Sequence, residues 1–471
     1  MWRFFYNILL LAVSPVIVAI LLAKQRCRRG LPQRLGLKNG PSGLSGSSSL
    51  SRHSDQPDGP NKPDRLDRPD KPVIWVHAVS LGEVVAVTPL VMDLHRRHPE
   101  CRLVVSTVTE TGREAVEQRL AGVADHCYAP LDFPWVVARF IERLQPRIYL
   151  FVETELWPNL LWHLRRRGVP TALVNGRLST RSFARQQWAP VRSFYRTMLR
   201  TLSLCLMQSD RDVDRIIALG AEASRVRRTG NIKFDQPRPT VTGGEAARAY
   251  LRLQEREQLF VAGSTHPGEE EMLVECYRAL VAQCPSAVLL LAPRHIERAE
   301  SVEAMIRARG FAAQRRSTIG QGAAERSTGP RVLVLDSRGE LASIYREAVV
   351  AFVGGTLVPI GGHNLLEPAQ WAKPVLFGPY TDHCAEIADL LVQAGGGHRV
   401  LQADDLTRKI VALFTDDKER ERMGRLALQV VEQNQGALQQ TLEAIDKLLT
   451  LHQGNSGPPL ADRSLPLMAG R

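Results

Sequence analysis

Acids stand at the ends of apolar runs in the first half of this chain, and glycine-rich loops stand at the ends of similar runs in the second. Val73, Ile74, Trp75 and Val76 form a short continuous apolar run of the kind shown by strands buried on both faces of a parallel sheet. His77 to Glu83 follow, and their small and hydroxyl residues with Gly82 allow a tight turn at the carboxyl end of the strand, where open α/β sheets hold their ligands. A carboxylate at Glu83 can act there as a general base towards an attacking hydroxyl. It can equally be a first-turn helix acid favoured by the macrodipole. Farther on, Val152 leads into Glu153, Thr154 and Glu155. If that strand continues, the two acids face opposite sides and at most one meets a cleft. Asn175, Gly176, Arg177, Ser179, Thr180 and Arg181 add donors for an anionic substrate, although Arg181 also suits a solvated helix face.

In the second half the chemistry is of another kind. Ala262 to Pro267 lead into Gly268 and three glutamates, Pro293, Arg294 and His295 follow another run, and Ser337, Arg338, Gly339 and Glu340 follow a third. Gly354, Gly355 and Thr356, then Gly361, Gly362, His363, Asn364, Leu365, Leu366 and Glu367, follow a fourth. Glycines let a backbone approach a phosphate closely, a helix starting at Asn364 would offer free N–H groups to an anion, and Glu367 on its first turn could accept from ribose hydroxyls. Paired glycines alone mark plain turns. Together at four strand ends, these loops indicate a nucleotide site.

The elements that must position these groups are strands alternating with helices. Apolar runs at Val73–Val76, Leu103–Val105, Ile148–Val152, Thr171–Val174 and Leu202–Met207 are spaced by amphipathic stretches such as Val91–Arg97 and Trp135–Leu144, the signature of repeated βαβ units. The pattern breaks near Gly230, at Asn231 to Asp235, Pro237 and Pro239, where a linker is expected. A second alternation follows, with runs at Leu259–Ala262, Val288–Leu291, Val332–Leu335, Val349–Val353 and Val375–Phe377. The expected fold is α/β, with two doubly wound Rossmann-like domains over residues 72–235 and 236–453 facing a cleft, and a flexible tail over 454–471.

With 471 residues the chain exceeds what one hydrophobic core usually serves. Its net charge of +12 calls for an acidic partner: nucleic acid, an anionic membrane or a phosphorylated substrate. No aromatic-and-basic nucleic-acid module is present, so no nucleic-acid partner is expected. Seven cysteines without a C-x-x-C pair or metal spacing read as reduced thiols of a cytosolic domain. Phe4 to Ala23 are almost wholly apolar and are followed by Lys24, Arg26, Arg28 and Arg29, which implies a membrane anchor over residues 1–24 with the rest of the chain on the cytoplasmic side. Residues 25–71 read as a basic segment and a tether too polar to order itself.

Four motifs give this chain a family likeness: S-L-G-E at Ser80–Glu83, E-T-E-L-W-P-N at Glu153–Asn159, G-N-I-K-F-D at Gly230–Asp235 and G-G-H-N-L-L-E-P-A at Gly361–Ala369. The chain resembles the 3-deoxy-D-manno-octulosonic acid (Kdo) transferases of Gram-negative bacteria over the N-terminal helix and nearly all of residues 72–448. The resemblance implies a B-type glycosyltransferase (GT-B) fold, a CMP-Kdo donor, and transfer of Kdo to the lipid A precursor at the cytoplasmic face of the inner membrane. It implies a catalytic base at Glu83 and transition-state stabilisation at Glu153 and Lys233. It also implies nucleotide contacts at Pro293, Arg294, Arg338, Gly339, Glu340, Asn364, Leu365, Leu366 and Glu367. The tether is longer than the family's usual connection. An epimerase or another B-type transferase shares the fold and phosphate loops, and a non-catalytic lipid A-binding scaffold would share the basic surface.

No metal or other cofactor is expected. Asp212 and Asp214 form a D-x-D sequence, but on a helix residues i and i+2 diverge too widely to clamp one ion.

Overall fold

Strands whose every side chain is apolar must be covered on both faces, and two parallel sheets do this here. The computed structural model describes residues 1–23, 30–35, 71–238, 247–319 and 329–453. The expected tether, apart from Lys71, the tail, and the basic residues Lys24, Arg26, Arg28 and Arg29 lie outside the described residues. The chain divides into two compact units, one formed by residues 1–236 together with the segment from Gly436, the other by Pro237–Gln435.

In the first unit, β1 (Val73–His77), β2 (Arg102–Thr107), β3 (Asp125–Tyr128), β4 (Pro146–Val152), β5 (Thr171–Gly176), β6 (Leu204–Met207) and β7 (Val226–Arg228) lie in the order β3-β2-β1-β4-β5-β6-β7. All neighbours are parallel. The side chains of β1 divide with period two: Ile74 and Val76 join one buried cluster, Val73 and Trp75 the other.

The second unit repeats the plan with β8 (Gln258–Thr265), β9 (Ala287–Pro293), β10 (Ala312–Arg315), β11 (Arg331–Val334), β12 (Ala348–Val353), β13 (Val375–Phe377) and β14 (Gly397–Arg399), ordered β10-β11-β9-β8-β12-β13-β14 and again all parallel. Here Phe260 and Ala262 face one cluster, Leu259 and Val261 the other. In each sheet the strand order reverses beside the first strand, between β1 and β4 and between β8 and β12. Crevices for ligands open at such switch points.

One expectation is corrected. Residues 437–453, assigned by sequence to the second domain, belong to the first unit. The helix Ala437–Gln453 buries Leu442, Ile445 and Leu449 in the same cluster as Ile74 and Val76, and the Asp235 carboxylate accepts the N–H groups of Gly436 (2.6 Å) and Leu438 (2.8 Å) at its start.

A further expectation, the membrane anchor, falls on the N-terminal helix Trp2–Ala23. Among the described residues no helix is long and apolar enough to cross a membrane, so a single-pass span is not borne out. The first turns of Trp2–Ala23 are docked along one face. Trp2 Nε1 donates to Ser193 Oγ (3.0 Å), Arg3 meets His163 (3.1 Å), the Tyr6 hydroxyl donates to Asp132 (2.8 Å) and Asn7 bonds Asn159 (2.8 Å). These contacts tie the helix to the protein body. Phe4, Phe5, Ile8, Leu9 and Leu11 on the other side are exposed.

Candidate active site

Three acids meet at the β1/β4 switch point. Ser80 caps the helix Leu81–Arg97 in an extended conformation, which puts Glu83 on the first turn. Its carboxylate turns back, Oε2 accepting from Val79 N (2.8 Å) and Oε1 from the Ser80 hydroxyl (3.2 Å). Burial pushes the Glu83 carboxyl up to about 7, and the charges of Glu153 and Glu155 push the same way against the two hydrogen bonds. A group so tuned can hold or release a proton near neutrality.

Glu153 does not continue β4. The strand ends at Val152 and Glu153 takes a left-handed φ of 57°, its N–H bonded to Val174 O (3.0 Å). The expectation of two acids on opposite faces of one strand therefore does not apply, because the backbone turns at the first of them. Glu153 forms an ion pair with Lys233 (3.2 Å). Glu155 is partly buried, and burial followed by the charge of Glu153 raises its carboxyl.

Lys233 arrives from a 3₁₀ turn, Ile232–Asp235, held at its start by two asparagines. Asn231 Oδ1 accepts from Lys233 N (3.1 Å), and the buried Asn175 Oδ1 accepts from Ile232 N (3.1 Å). Asn175 has a φ of 54°, a conformation that asparagine tolerates better than most residues. Asn175 and the G-N-I-K-F-D segment thus act together. Every polar residue of the latter has a partner: Asn231 binds Gln208 (3.1 Å), Lys233 binds Glu153, and Asp235 caps the C-terminal helix.

Below this cluster lies a polar residue the sequence reading passed over. Asp132 is buried, and its carboxylate accepts the N–H groups of Asn159 (2.9 Å) and Leu160 (2.8 Å) at the start of the helix Pro158–Arg166, just after the E-T-E-L-W-P segment. Burial raises it to about 6. An acid two residues before Pro134 gave no sequence signal, since such residues ordinarily mark turns. Asp212 of the D-x-D sequence is likewise buried, accepting Leu178 N (2.8 Å).

In the second unit the four loops that the sequence singled out follow β11, β9, β8 and β12, which are contiguous in the sheet. Arg294 follows β9, its N–H bonded to Thr265 O (2.9 Å) at the end of β8, and its side chain is exposed. Pro293 is the last residue of β9 and buried. Arg338 is exposed in an ion pair with Glu297 (3.3 Å), Gly339 has a φ of 87°, and Glu340 bonds Ser337 Oγ and Arg316 (3.3 Å). After β12 the helix begins at Leu366 and lasts a single turn to Ala369, not from Asn364 as expected. Asn364 Oδ1 instead caps Leu366 N (3.2 Å) while its amide donates to Glu367 (3.2 Å). Leu365 and Leu366 are core side chains, which leaves only their backbone to meet a ligand.

One buried acid organises this edge. Glu269, fully enclosed at the first position of the helix Glu269–Gln283, accepts the N–H groups of His266 (2.9 Å), Gly355 (2.7 Å), Thr356 (3.0 Å) and Leu357 (2.9 Å). It clamps the loop after β12 to the loop after β8. The sequence signal was only a run of three glutamates, indistinguishable from a solvated helix start.

A family model described as 3-Deoxy-D-manno-octulosonic-acid transferase (kdotransferase) matches residues 51–236. A 3-deoxy-D-manno-octulosonic acid transferase of Haemophilus influenzae is 35% identical over 458 residues, 95% of this chain and 99% of that protein. One of Bordetella pertussis is 35% identical over 387 residues, 80% of this chain and 87% of its own. Among solved structures, a UDP-N-acetylglucosamine 2-epimerase is similar with a TM-score of 0.57 at 14% identity, over 83% of this chain and 98% of that one, a likeness of fold alone. The 35% identity along nearly the whole length of both chains means that this chain belongs to the 3-deoxy-D-manno-octulosonic-acid transferase family and is a glycosyltransferase.

Proposed function

We propose that the chain transfers Kdo from CMP-Kdo to a lipid A precursor, lipid IVA, at the cytoplasmic face of the inner membrane, with inversion and without a metal, as a step of lipopolysaccharide biosynthesis. The observation that carries this reading is Glu83: an acid at a switch point, raised to about 7 by burial, beside the Glu153–Lys233 ion pair. Glu83 takes the proton of the attacking sugar hydroxyl as its oxygen bonds the anomeric carbon. The bond from that carbon to the phosphate oxygen breaks, and its electron pair leaves with CMP. Glu153 and Lys233 form a fixed dipole near the reacting groups and stabilise the charge that develops. Pro293, Arg294, Arg338, Gly339, Glu340 and the run Asn364 to Glu367 hold the nucleotide, with Arg294 able to neutralise its phosphate.

Attachment to the membrane in this reading is interfacial. The exposed Phe4, Phe5, Ile8 and Leu9 supply an apolar face that can enter the headgroup boundary while the opposite face stays docked. The excess of Lys and Arg suits anionic lipid and a phosphorylated acceptor.

The test is mass spectrometry of lipid after incubating the full chain with CMP-Kdo and lipid IVA. Wild type should add Kdo, and Glu83→Gln should do so roughly 10² to 10⁴ times more slowly with CMP binding retained. A wild-type protein that leaves lipid IVA unmodified would sink the proposal, and a Glu83→Gln variant within a few-fold of wild type would move the base elsewhere.

A further inference from the structure

Two histidines straddle the second switch point. His266 follows β8 and His363 follows β12, and their Nε2 atoms are 2.8 Å apart. The rings are parallel within 3° with centroids 5.1 Å apart. Two face-stacked rings could not give this combination: the centroid spacing exceeds the nitrogen spacing by about two ring radii, which requires the imidazoles to lie end to end in one plane. The contact is therefore an aligned N–H···N hydrogen bond with a single proton between the rings.

The surroundings hold this pair in place. A side chain at residue 355 would put its Cβ 3.0 Å from His363 and 3.4 Å from His266, and Gly355 has a φ of 68°. Glu269 fixes both flanks through the N–H groups of His266 and Gly355. The titratable groups that face the pair are the bases Arg294, His295, Arg298 and His383 and the acid Glu270. Glu270 is already spent on Arg298 (2.8 Å) and Glu269 on four backbone donors. What remains beside the two neutral rings is the exposed Arg294 guanidinium.

We propose that the His266–His363 pair is a proton-accepting element of the nucleotide site, taking up one proton when a nucleoside monophosphate binds beside Arg294. This rests on the reading of the second unit as the nucleotide-binding unit. The added proton goes to Nδ1 of whichever ring donates. That ring becomes an imidazolium whose Nε2–H still donates to its neutral partner, so the bond survives and becomes charge-assisted. A second added proton would oppose two N–H groups across 2.8 Å, so uptake stops at one. In the free protein burial first, then the neighbouring cations led by Arg294 for His363, keep the rings neutral, with His363 lowered to about 3. A bound phosphate offsets the cations and raises the pair. By linkage the phosphate then binds more tightly as pH falls.

The experiment is calorimetric titration of the full chain with CMP and, separately, with cytidine, between pH 6 and 7.5 in buffers of different ionisation enthalpy. Wild type should take up a fraction of a proton with CMP that grows as pH falls, and none with cytidine. The phosphate of CMP itself titrates near pH ~6 and would release protons in a cationic site, so uptake reports the protein. His363→Asn and His266→Gln should each bind CMP with uptake largely abolished. Binding by wild type without uptake, or uptake unchanged in both variants, overturns the inference and leaves the nucleotide site standing. Failure of wild type to bind CMP overturns the nucleotide site and the inference together. Should one variant fail to fold, the wild-type slope and the other variant decide.

Discussion

Glu83, the proposed base, must be ionised for turnover while its burial favours the protonated form, and these two demands leave different pH signatures. As the base it must be ionised, so turnover should fall as pH drops through about 7, the value to which burial raises it. Glu155→Gln removes one of the like charges and should move that limb to lower pH by a few tenths of a unit. A limb that stays near pH 4 to 5 in wild type would remove Glu83 from the chemistry. The sign for stability follows from the same shift. The folded state holds the Glu83 proton more tightly than the unfolded state, so between the ordinary carboxylate range and about 7 the folded state binds more protons and stability falls as pH rises. Glu83→Gln lacks this loss. Its melting temperature relative to wild type should therefore rise from pH 5 to pH 8, whereas a carboxyl in the ordinary range would leave the difference flat. The position of Glu83 was legible in sequence from a strand, a glycine and an acid. Asp132, Glu269 and the His266–His363 pair were not, because a buried cap or a paired ring looks like a surface residue until its partners are known.

The central strands were legible as elements and the outer ones were not. Expected runs fall on β1, β2, β4, β5, β6, β8, β9, β11, β12 and β13, all covered by neighbours. The strands that went unread, β3, β7, β10 and β14, are the four sheet edges. An edge strand pairs on one side only and carries residues such as Asp125, Arg227, Gln314 and His398, which blunt further pairing and erase the apolar run. At the same scale, the turn Ile232–Asp235 joins the proposed site to the architecture, since Lys233 reaches Glu153 and Asp235 caps the helix Ala437–Gln453. Asp235→Ala should cost about 1 to 2 kcal/mol of stability. Hydrogen exchange should accelerate first over residues 437–453, and turnover should fall because the same turn carries Lys233. Uniform exchange with unchanged turnover would show that the helix holds without its cap.

For the molecule as a whole, the N-terminal helix is attached through Trp2, Arg3, Tyr6 and Asn7, which leaves Phe5 and Leu9 outward. Phe5→Ser with Leu9→Ser should reduce flotation with anionic vesicles several-fold without changing the melting temperature, because neither side chain is part of the docked face. Tyr6→Phe should do the reverse, leaving flotation intact and lowering stability by about 1 kcal/mol, since Asp132 loses a donor. Equal flotation of the double variant would mean that another surface meets the membrane. Transfer is also expected to persist in excess EDTA, since a leaving group with a single phosphate can be neutralised by Arg294. Loss of activity restored by magnesium would reveal a metal requirement.

Periodicity is a property of near neighbours, and it fixed what near neighbours can fix. The sequence determined two parallel α/β units, the strands of their cores, and the acids and glycines at the strand ends, because burial on both faces leaves an apolar run and a turn leaves its residues. Only the tertiary structure decided which of these ends meet. Lys233 reaches Glu153 across 80 residues, His363 reaches His266 across 97, and the chain returns at Gly436 to complete the first unit. Those meetings depend on strand order, and strand order is set by how helices of different length close over a twisted sheet, which no local pattern records.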